Sequence, residues 1–471
     1  MHTLRPLPSL LSFPSKSPLL RRISSVPSSP HYTICGAGAV GLSLCLSLLT
    51  KTSTPPSNIT LIDPDLTYAR NSACLSAGGV RTAFTVPENV AAGLEGLKYY
   101  RDGGWVKDVN EAGERHGMGR GDTDVNGDTL QFQEGGYMFL SSTDEGMDSL
   151  KHTSKIRQSL GLPPSTIFSD PSSLSSAYPY LNVSDLKGGA VTEGDGWFDP
   201  YSFITSTMKL VKNLGVNVIT GQVVQAKLEP EGTLTSVKVD PSEAGKTSFD
   251  VKGDYFVNAA GAGGGLLMEA IERCASTSGV TALPSNSVPY PVKARKRSVF
   301  HIRSRGFPEV DVERIPLTVN TDGVWFRGVG KVEAGKDVEV ICGCTPEVDP
   351  DLEYREDLLE PRWGEWEGRI WESLYNRVEA FGNAKVLNSW GGFYEYNTSD
   401  QNGIIGFHPK HRNLLILNGF SGHGLQQAPS VGKAGMELLT EGKFKEGSID
   451  WSRFDLERFE EGRLVFEEGI V

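Results

Sequence analysis

The sequence predicts an α/β chain: a βαβ unit opens the fold, and an α+β unit built on antiparallel strands is set into it. Three observations predict this. A short apolar run from His31 ends in Gly36-Ala37-Gly38-Ala39-Val40-Gly41 and is followed by a Leu-rich segment. An acid, Asp63, closes the next apolar run, Asn58 to Ile62. In the middle of the chain antiparallel strand pairs mix with helices, unlike the start, and that shift marks a second domain.

The spacing Gly-x-Gly-x-x-Gly between a strand and a helix is the turn of a dinucleotide-binding βαβ unit. Gly36 allows the tight turn, Gly38 lets the backbone approach a pyrophosphate, and Gly41 lets the helix pack on the strand. The free N–H groups at the helix start, around Ala39 and Val40, then face the anion. Asp63 stands where an acid takes a ribose hydroxyl. One local pattern disagrees: Leu42 to Leu48 alternates with period two, which favours a strand. A helix buried between layers is apolar or small on most sides, so the helical reading is kept.

The 471 residues, 38% of them hydrophobic, suffice for two domains with proper cores. A net charge of −12 argues against nucleic acid as a partner. No apolar run approaches the roughly 18 residues that span a bilayer, so no transmembrane segment is expected. The six cysteines are scattered, which suits a reducing compartment rather than a disulfide framework. Cys342-Gly343-Cys344 has no second ligand pair near it, and no metal site is expected. Residues 1–30 carry Arg5, Lys16, Arg21 and Arg22, are rich in Ser and Pro, and hold no acid. This is the composition of an organelle transit peptide, mitochondrial by its Arg21-Arg22 pair, with the chloroplast as the alternative.

After Asp63, the stretch Arg70 to Arg81 is dense in small and hydroxyl residues and suits a loop wrapped around a ligand. Pro87 opens a helix with Val90, Leu94 and Leu97 on its apolar face. Glu111 to Asp128 reads as an exposed insertion. A strand at Gly135 to Leu140 and a helix over Asp144 to Leu160 follow. Gly194 to Pro200 reads as a turn, then a helix over Tyr201 to Leu214 stopped by Gly215. Val216 to Ile219 and Gln222 to Val224 read as two strands. Asp254 to Gly261 is a strand that runs, past Ala260, into Gly263-Gly264-Gly265, a second close approach of backbone to a cofactor. Lys293, Arg295, Lys296 and Arg297 read as a solvated strand face, with an anion site as the alternative. Val324 to Arg327 and Val338 to Cys342 read as an antiparallel pair joined by a Gly-rich loop. Trp366, Ile370, Leu374 and Val378 mark an amphipathic helix ended by Gly382. Leu414 to Asn418 is a buried strand that enters Gly419-Phe420-Ser421-Gly422-His423-Gly424, the N-terminus of a last helix.

The order of these elements resembles the D-amino-acid oxidase/sarcosine oxidase (DAO) family of FAD enzymes from His31 to Phe459. The markers are the opening glycines, Asp199-Pro200, Val257 to Gly261, Asp400 to Gly406 and Gly419 to Gly424. Tyr394 to Gly403 and Gly419 to Pro429 look most like a mitochondrial member linked to assembly of respiratory complex I. The resemblance implies an FAD-binding, Rossmann-like domain of glutathione-reductase type with an inserted α+β antiparallel-sheet substrate domain. The expected boundaries are 31–110, 195–285 and 390–445 for the FAD domain, 111–194 and 286–389 for the substrate domain, and 446–471 for a C-terminal tail.

It further implies extended FAD. Gly36, Gly38 and Gly41 would meet the pyrophosphate, Asp63 the ribose and Val224 the adenine. Ser72, Ser76, Ala77 and Gly78 would line the flavin, with Ala260 and Gly261 at the second close approach. Gly422, His423, Gly424 and Leu425 would sit at the pyrimidine end of the ring. Substrates of such enzymes are small amines and amino acids, oxidised by hydride transfer from the carbon beside nitrogen. Arg81 matches a substrate-carboxylate arginine, and Glu395, Tyr396, His423 and Gln426 are the other candidate catalytic residues. The flavin-linking positions of relatives carry Phe393 and Leu75 here, so the FAD is expected to be non-covalent. Gln426 stands where relatives carry a lysine, which points to a dehydrogenase rather than an oxidase. The competing expectation is an FAD-holding assembly factor whose partners are complex I subunits.

Overall fold

The computed structural model describes residues 29–119, 123–277, 289–305, 315–329, 337–346, 349–350 and 359–467. The expected transit peptide lies outside them up to residue 28, as does most of the Gly-rich loop after Arg327. The first stretch holds β1 (Tyr32–Cys35), α1 (Ala39–Lys51), β2 (Ile59–Asp63), β3 (Gly79–Val80), α2 (Pro87–Tyr100) and α3 (Gly104–Arg115). Next come β4 (Tyr137–Ser141), α4 (Asp144–Ser159), β5 (Thr166–Phe168), α5 (Pro171–Ala177), β6 (Gly188–Thr192), β7 (Gly196–Trp197) and α6 (Pro200–Asn213). They are followed by β8 (Asn217–Leu228), β9 (Leu234–Pro241), β10 (Phe249–Lys252), β11 (Tyr255–Asn258) and α7 (Gly264–Thr277). The inserted strands are β12 (Val292–Ser304), β13 (Leu317–Val319), β14 (Val324–Gly328) and β15 (Val338–Cys344), then α8 (Trp363–Glu365) and α9 (Trp371–Arg377). The chain closes with β16 (Lys385–Asn397), β17 (Ile404–Phe407), β18 (Leu414–Asn418), α10 (Gly424–Glu441) and α11 (Glu457–Glu460).

Two eight-stranded sheets result. The first, in the order β10-β9-β8-β2-β1-β11-β18-β17, has a parallel centre from β8 to β18 and antiparallel pairs at both edges. The second, β16-β12-β15-β14-β13-β4-β6-β5, is antiparallel except where β13 runs parallel to β4. Every residue of α1 from Ala39 to Thr50 is buried. That is why its sequence shows no polar face: α10 covers the side away from the sheet. Gly432 of α10 comes so close that a Cβ there would lie 2.5 Å from the Ser43 carbonyl carbon.

Several expectations need correction. The two strands expected around Gly221 are one strand, β8. Gly221 does not break it; a Cβ there would lie 2.6 Å from a Val239 side-chain carbon, so glycine lets β9 close in. The turn from Gly194 contains β7, which pairs with β3. The first residues of the expected exposed insertion belong to α3, where Ala112 and Gly113 are buried. The helix expected over Trp366 to Gly382 carries a π-turn at Trp366–Ile370 and ends at Arg377, with Ile370, Leu374 and Val378 buried as its spacing predicts. The boundary expected at 390 falls inside β16, whose pairing with β12 runs to Asn397. Beyond 446 the chain is no loose tail: Trp451 and Phe454 join the main core, and Arg458 and Glu467 are buried.

Candidate active site

The β1–α1 turn is shaped by backbone alone. Gly36 has φ +111°, and a Cβ on it would lie 2.1 Å from the Ala259 oxygen, so only glycine fits. Gly38 is the N-cap of α1 and supplies no side-chain cap. The first N–H groups of the helix are therefore left for an anion. Asp63 accepts hydrogen bonds from the Ala37 and Asp65 N–H groups at 2.8 and 2.9 Å, holding the turn against β2. Burial pushes its carboxyl up.

A second free helix start lies at α10, whose N-cap His423 makes no side-chain cap. Pro429 inside this helix has no N–H to give the Leu425 carbonyl four residues back. The Tyr100 hydroxyl donates to that carbonyl instead, at 2.9 Å.

One cavity of about 940 Å³ joins both helix starts, at the upper end of the range for cofactor pockets. Of the expected cofactor residues it is lined by Gly36, Gly38, Ala39, Val40, Asp63, Ser72, Ser76, Ala77, Ala260, Gly261, Gly422, His423, Gly424 and Leu425. Gly41, Gly78 and Val224 do not line it. Gly41 lies under the turn, where a Cβ would meet the Gly36 oxygen at 2.0 Å; its role is packing rather than pyrophosphate contact. Gly78 has φ +69° with its α-carbon against the Phe198 carbonyl, a turn position. Val224 is the bulge residue of β8, and Gly221, Gln222 and Val223 form the wall in its place.

Of the candidate catalytic residues, Arg81, Glu395, His423 and Gln426 reach the cavity and Tyr396 does not. The Tyr396 ring lies beside the Arg295 guanidinium, 4.9 Å away. Arg297 likewise lies over Tyr394 at 4.5 Å and pairs with Asp349 through two bonds of 2.9 and 2.8 Å. The basic cluster on β12 is therefore no solvated face: its two arginines are stacked and half-buried, and Arg297 reaches the cavity.

Arg81, 5% exposed, stands just past β3. Its backbone N–H donates to Gln426 Oε1 at 2.8 Å, and its guanidinium lies 4.2 Å from the centre of the Phe84 ring. Burial pulls its pKa down from the usual arginine value. His423 is buried, its Nδ1 has no hydrogen-bond partner, and burial with Arg81 nearby lowers its pKa to about 3. Burial and Arg81 favour its neutral form, and the Glu467 carboxylate opposes them. Burial lifts Glu395 to about 7.

Sequence reasoning missed four residues here. Tyr137 and Trp325 bring the second sheet to the cavity. Asp195 is fully buried and accepts from the Thr82 N–H and hydroxyl at 2.9 and 2.8 Å; burial lifts it to about 6. Glu467 accepts from the Thr85 N–H (2.8 Å), the Val86 N–H (3.1 Å) and Asn89 Nδ2 (3.0 Å). Val86, the N-cap of α2, has no capping side chain, so the far end of the chain caps that helix. Only Asp195, set between two glycines, carried a local signal. Among the described residues no helix is long and apolar enough to cross a membrane, and no cluster of three or more His, Cys, Asp or Glu could hold a metal.

The family model for FAD dependent oxidoreductases (DAO) matches residues 31–438. FAD-dependent oxidoreductase domain-containing protein 1 of Xenopus laevis is 30% identical over 466 residues, which cover 94% of this chain and 85% of that protein. Its Drosophila melanogaster homolog is 28% identical over 447 residues, 93% of this chain and 80% of that protein. Among solved structures, L-proline dehydrogenase from P. horikoshii matches with a TM-score of 0.69 at 22% identity, covering 93% of this chain and 100% of that one. Glycine oxidase from Geobacillus kaustophilus matches with a TM-score of 0.66 at 17% identity, covering 91% and 99%. The chain belongs to the DAO family of FAD dependent oxidoreductases, and its two sheets are the FAD-binding Rossmann-like domain and the substrate domain of that fold.

Proposed function

We propose that this member of the DAO family oxidises a small amine or amino acid at its C–N bond, holds FAD without a covalent link, and passes electrons to an acceptor other than oxygen. The observation that carries the proposal is one continuous cavity. It runs from the glycine turn, where a pyrophosphate fits, to a buried arginine flanked by side chains of the second sheet. When bound there, FAD supplies the acceptor for a hydride leaving the carbon beside nitrogen.

The chain's own residues do the rest. The Gly36 turn, the open start of α1 and Asp63 hold the nucleotide end. Arg81 would take a substrate carboxylate; its guanidinium, desolvated between Phe84 and Phe139, attracts an anion far more strongly than an exposed one. Tyr137, Leu317, Val319 and Trp325 form the wall that excludes water and orients the C–H bond. Neutral His423 adds no charge beside the amine, which must itself be neutral to react. Leu75 and Phe393 both line the cavity, and neither side chain can bond to a flavin. Gln426 brings an amide where a lysine would bring a fixed charge for oxygen chemistry.

The test is the absorbance spectrum of the purified protein, then anaerobic titration with a panel of amines and amino acids. Bleaching by one of them is the expected result, and acid precipitation should release the colour to the supernatant. Bound flavin that no amine reduces would overturn the catalytic reading. It would leave a flavin-retaining assembly factor for respiratory complex I subunits. One observation bears on that second reading: Arg81 already donates to the Ala83 carbonyl and lies on the Phe84 ring. The acid-free, basic residues 1–30 support mitochondrial import, which a fusion of that segment to a reporter would test.

A further inference from the structure

β16 carries Glu395 into the cavity between two close backbone segments. A Cβ built on Gly424, the first residue of α10, would lie 3.0 Å from Glu395 Oε1, and one on Gly261 would lie 3.7 Å from Oε2. Both glycines line the cavity with it. The side chain thus stands at the start of α10, not among Arg81, Tyr137 and Trp325. Glu395 is 8% exposed. The groups that favour its charge are two backbone N–H groups, its own and that of Phe420. Opposite it on β12 is Ala294. Tyr290 also acts on it, but its hydroxyl donates to Asn418 Oδ1 at 3.0 Å and stays protonated. His423, the N-cap of α10, lines the same cavity, and burial with Arg81 nearby favours its neutral form. No basic side chain of the described residues contributes to holding this carboxylate, so its charge rests on backbone dipoles alone.

We propose that Glu395 tunes the reduction potential of the flavin and couples its reduction to proton uptake. This rests on FAD occupying the cavity with its electron-rich edge at α10. A hydride from the neutral amine brings two electrons and one proton to the ring, which gains one unit of negative charge. An ionised Glu395 competes for the same helix start and disfavours that charge; a second proton, drawn from water onto the carboxylate, removes the conflict. Burial that holds the carboxyl near neutral pH makes the uptake available under physiological conditions.

The test is the midpoint potential of the holoprotein against a reference dye from pH 5.5 to 8.5, native and Glu395→Gln. Loss of the charge should favour reduced flavin about tenfold at pH 8.5, a rise of about 30 mV for a two-electron couple. The gap should close below pH 6, where the native carboxyl is protonated. Equal potentials at every pH, or a gap that does not change with pH, would overturn the proposal. Should the glutamine variant lose its flavin, Glu395→Asp keeps the charge one methylene further back. Its gap to the native protein should be smaller and still close below pH 6, and a constant gap would overturn the idea equally. A native protein purified without flavin would instead count against the cofactor reading itself.

Discussion

The two ends of the cavity are built by opposite means. At the glycine-turn end the shaping contacts are close backbone approaches, Gly36 against Ala259 and Gly41 against Gly36, with the Ala37 N–H held by the Asp63 carboxylate. At the Arg81 end they are bonds from backbone N–H groups to side chains far along the chain. Arg81 depends on Gln426, 345 residues away, Thr82 on Asp195, and Thr85 on Glu467, 382 residues away. A cofactor's phosphates can be met by backbone geometry alone. A particular substrate must be met by side chains, and those are fixed by long-range packing.

The sharpest way to break the comparison is inside the glycine turn. Gly36→Ala should destabilise the fold severely: a left-handed φ costs a non-glycine residue about 1–3 kcal/mol, and the clash with Ala259 adds about as much again. Gly38→Val should fold and lose flavin, since a Cβ there meets only Asn71 Nδ2 at 3.1 Å. Soluble expression, melting temperature and flavin content separate the two. Flavin retained by Gly38→Val would show that the turn is structure alone.

At the other end the largest effect belongs to Arg458. Its guanidinium bonds Asp400 at 2.7 and 2.9 Å, and both side chains are fully buried. Arg458→Met leaves the buried Asp400 carboxylate without its counter-charge, held only by Asn397, Asn402 and Val465, and should cost about 3–5 kcal/mol. Denaturant unfolding should show this as a lower midpoint. A change below about 1 kcal/mol would show that the C-terminal stretch does not support the cavity.

This contrast also explains what was legible in the sequence. The glycine spacing, the acid at Asp63 and the last helix after Gly424 could be read because each is a local backbone requirement. Val224 could not be placed, because a bulge shifts the wall by one residue. Asp195 looked like part of a turn because burial is not written in a Gly-Asp-Gly triplet. Glu467 could not be found at all: its partners lie at the start of α2, and no pattern near residue 467 announces a cap for a helix so far away.

Two carboxyls contribute stability that falls with rising pH, opposed by buried His408 and His423, whose lowered pKa values act the other way. Asp195 and Glu395 are lifted to about 6 and about 7, above unfolded values of about 4. At these two groups the folded state therefore binds more protons than the unfolded chain between about pH 4 and 7. Their contribution declines across that window and is flat above it. Glu395→Gln should remove about 3 kcal/mol of the decline, read from apoprotein unfolding at pH 4.5 and 7.5. An unaltered slope would place the carboxyl in water rather than in the wall.

A smaller effect is expected at Glu467. Glu467→Ala uncaps α2 and should cost about 1–2 kcal/mol. Amide exchange should quicken at Thr85 and Val86, which lose their acceptor, and not at Ala37 or Asp65. Uniform quickening would mean that the two ends of the cavity unfold as one unit.

The smallest effect concerns the electron acceptor. Gln426→Lys puts an amine beside the cavity but removes the acceptor of the Arg81 N–H. Arg81 is close by and the site is buried, so both pressures push the lysine towards its neutral form. The gain in oxygen reactivity should therefore be about tenfold, or about 1.4 kcal/mol of barrier, well short of a fully charged lysine. Stopped-flow mixing of the reduced protein with aerated buffer, and separately with a quinone, measures it. A native protein that oxygen reoxidises fast and a quinone does not would show that Gln426 does not set the acceptor. A variant with an unchanged oxygen rate would point the same way and move the search to the substrate-end wall around Tyr137 and Trp325.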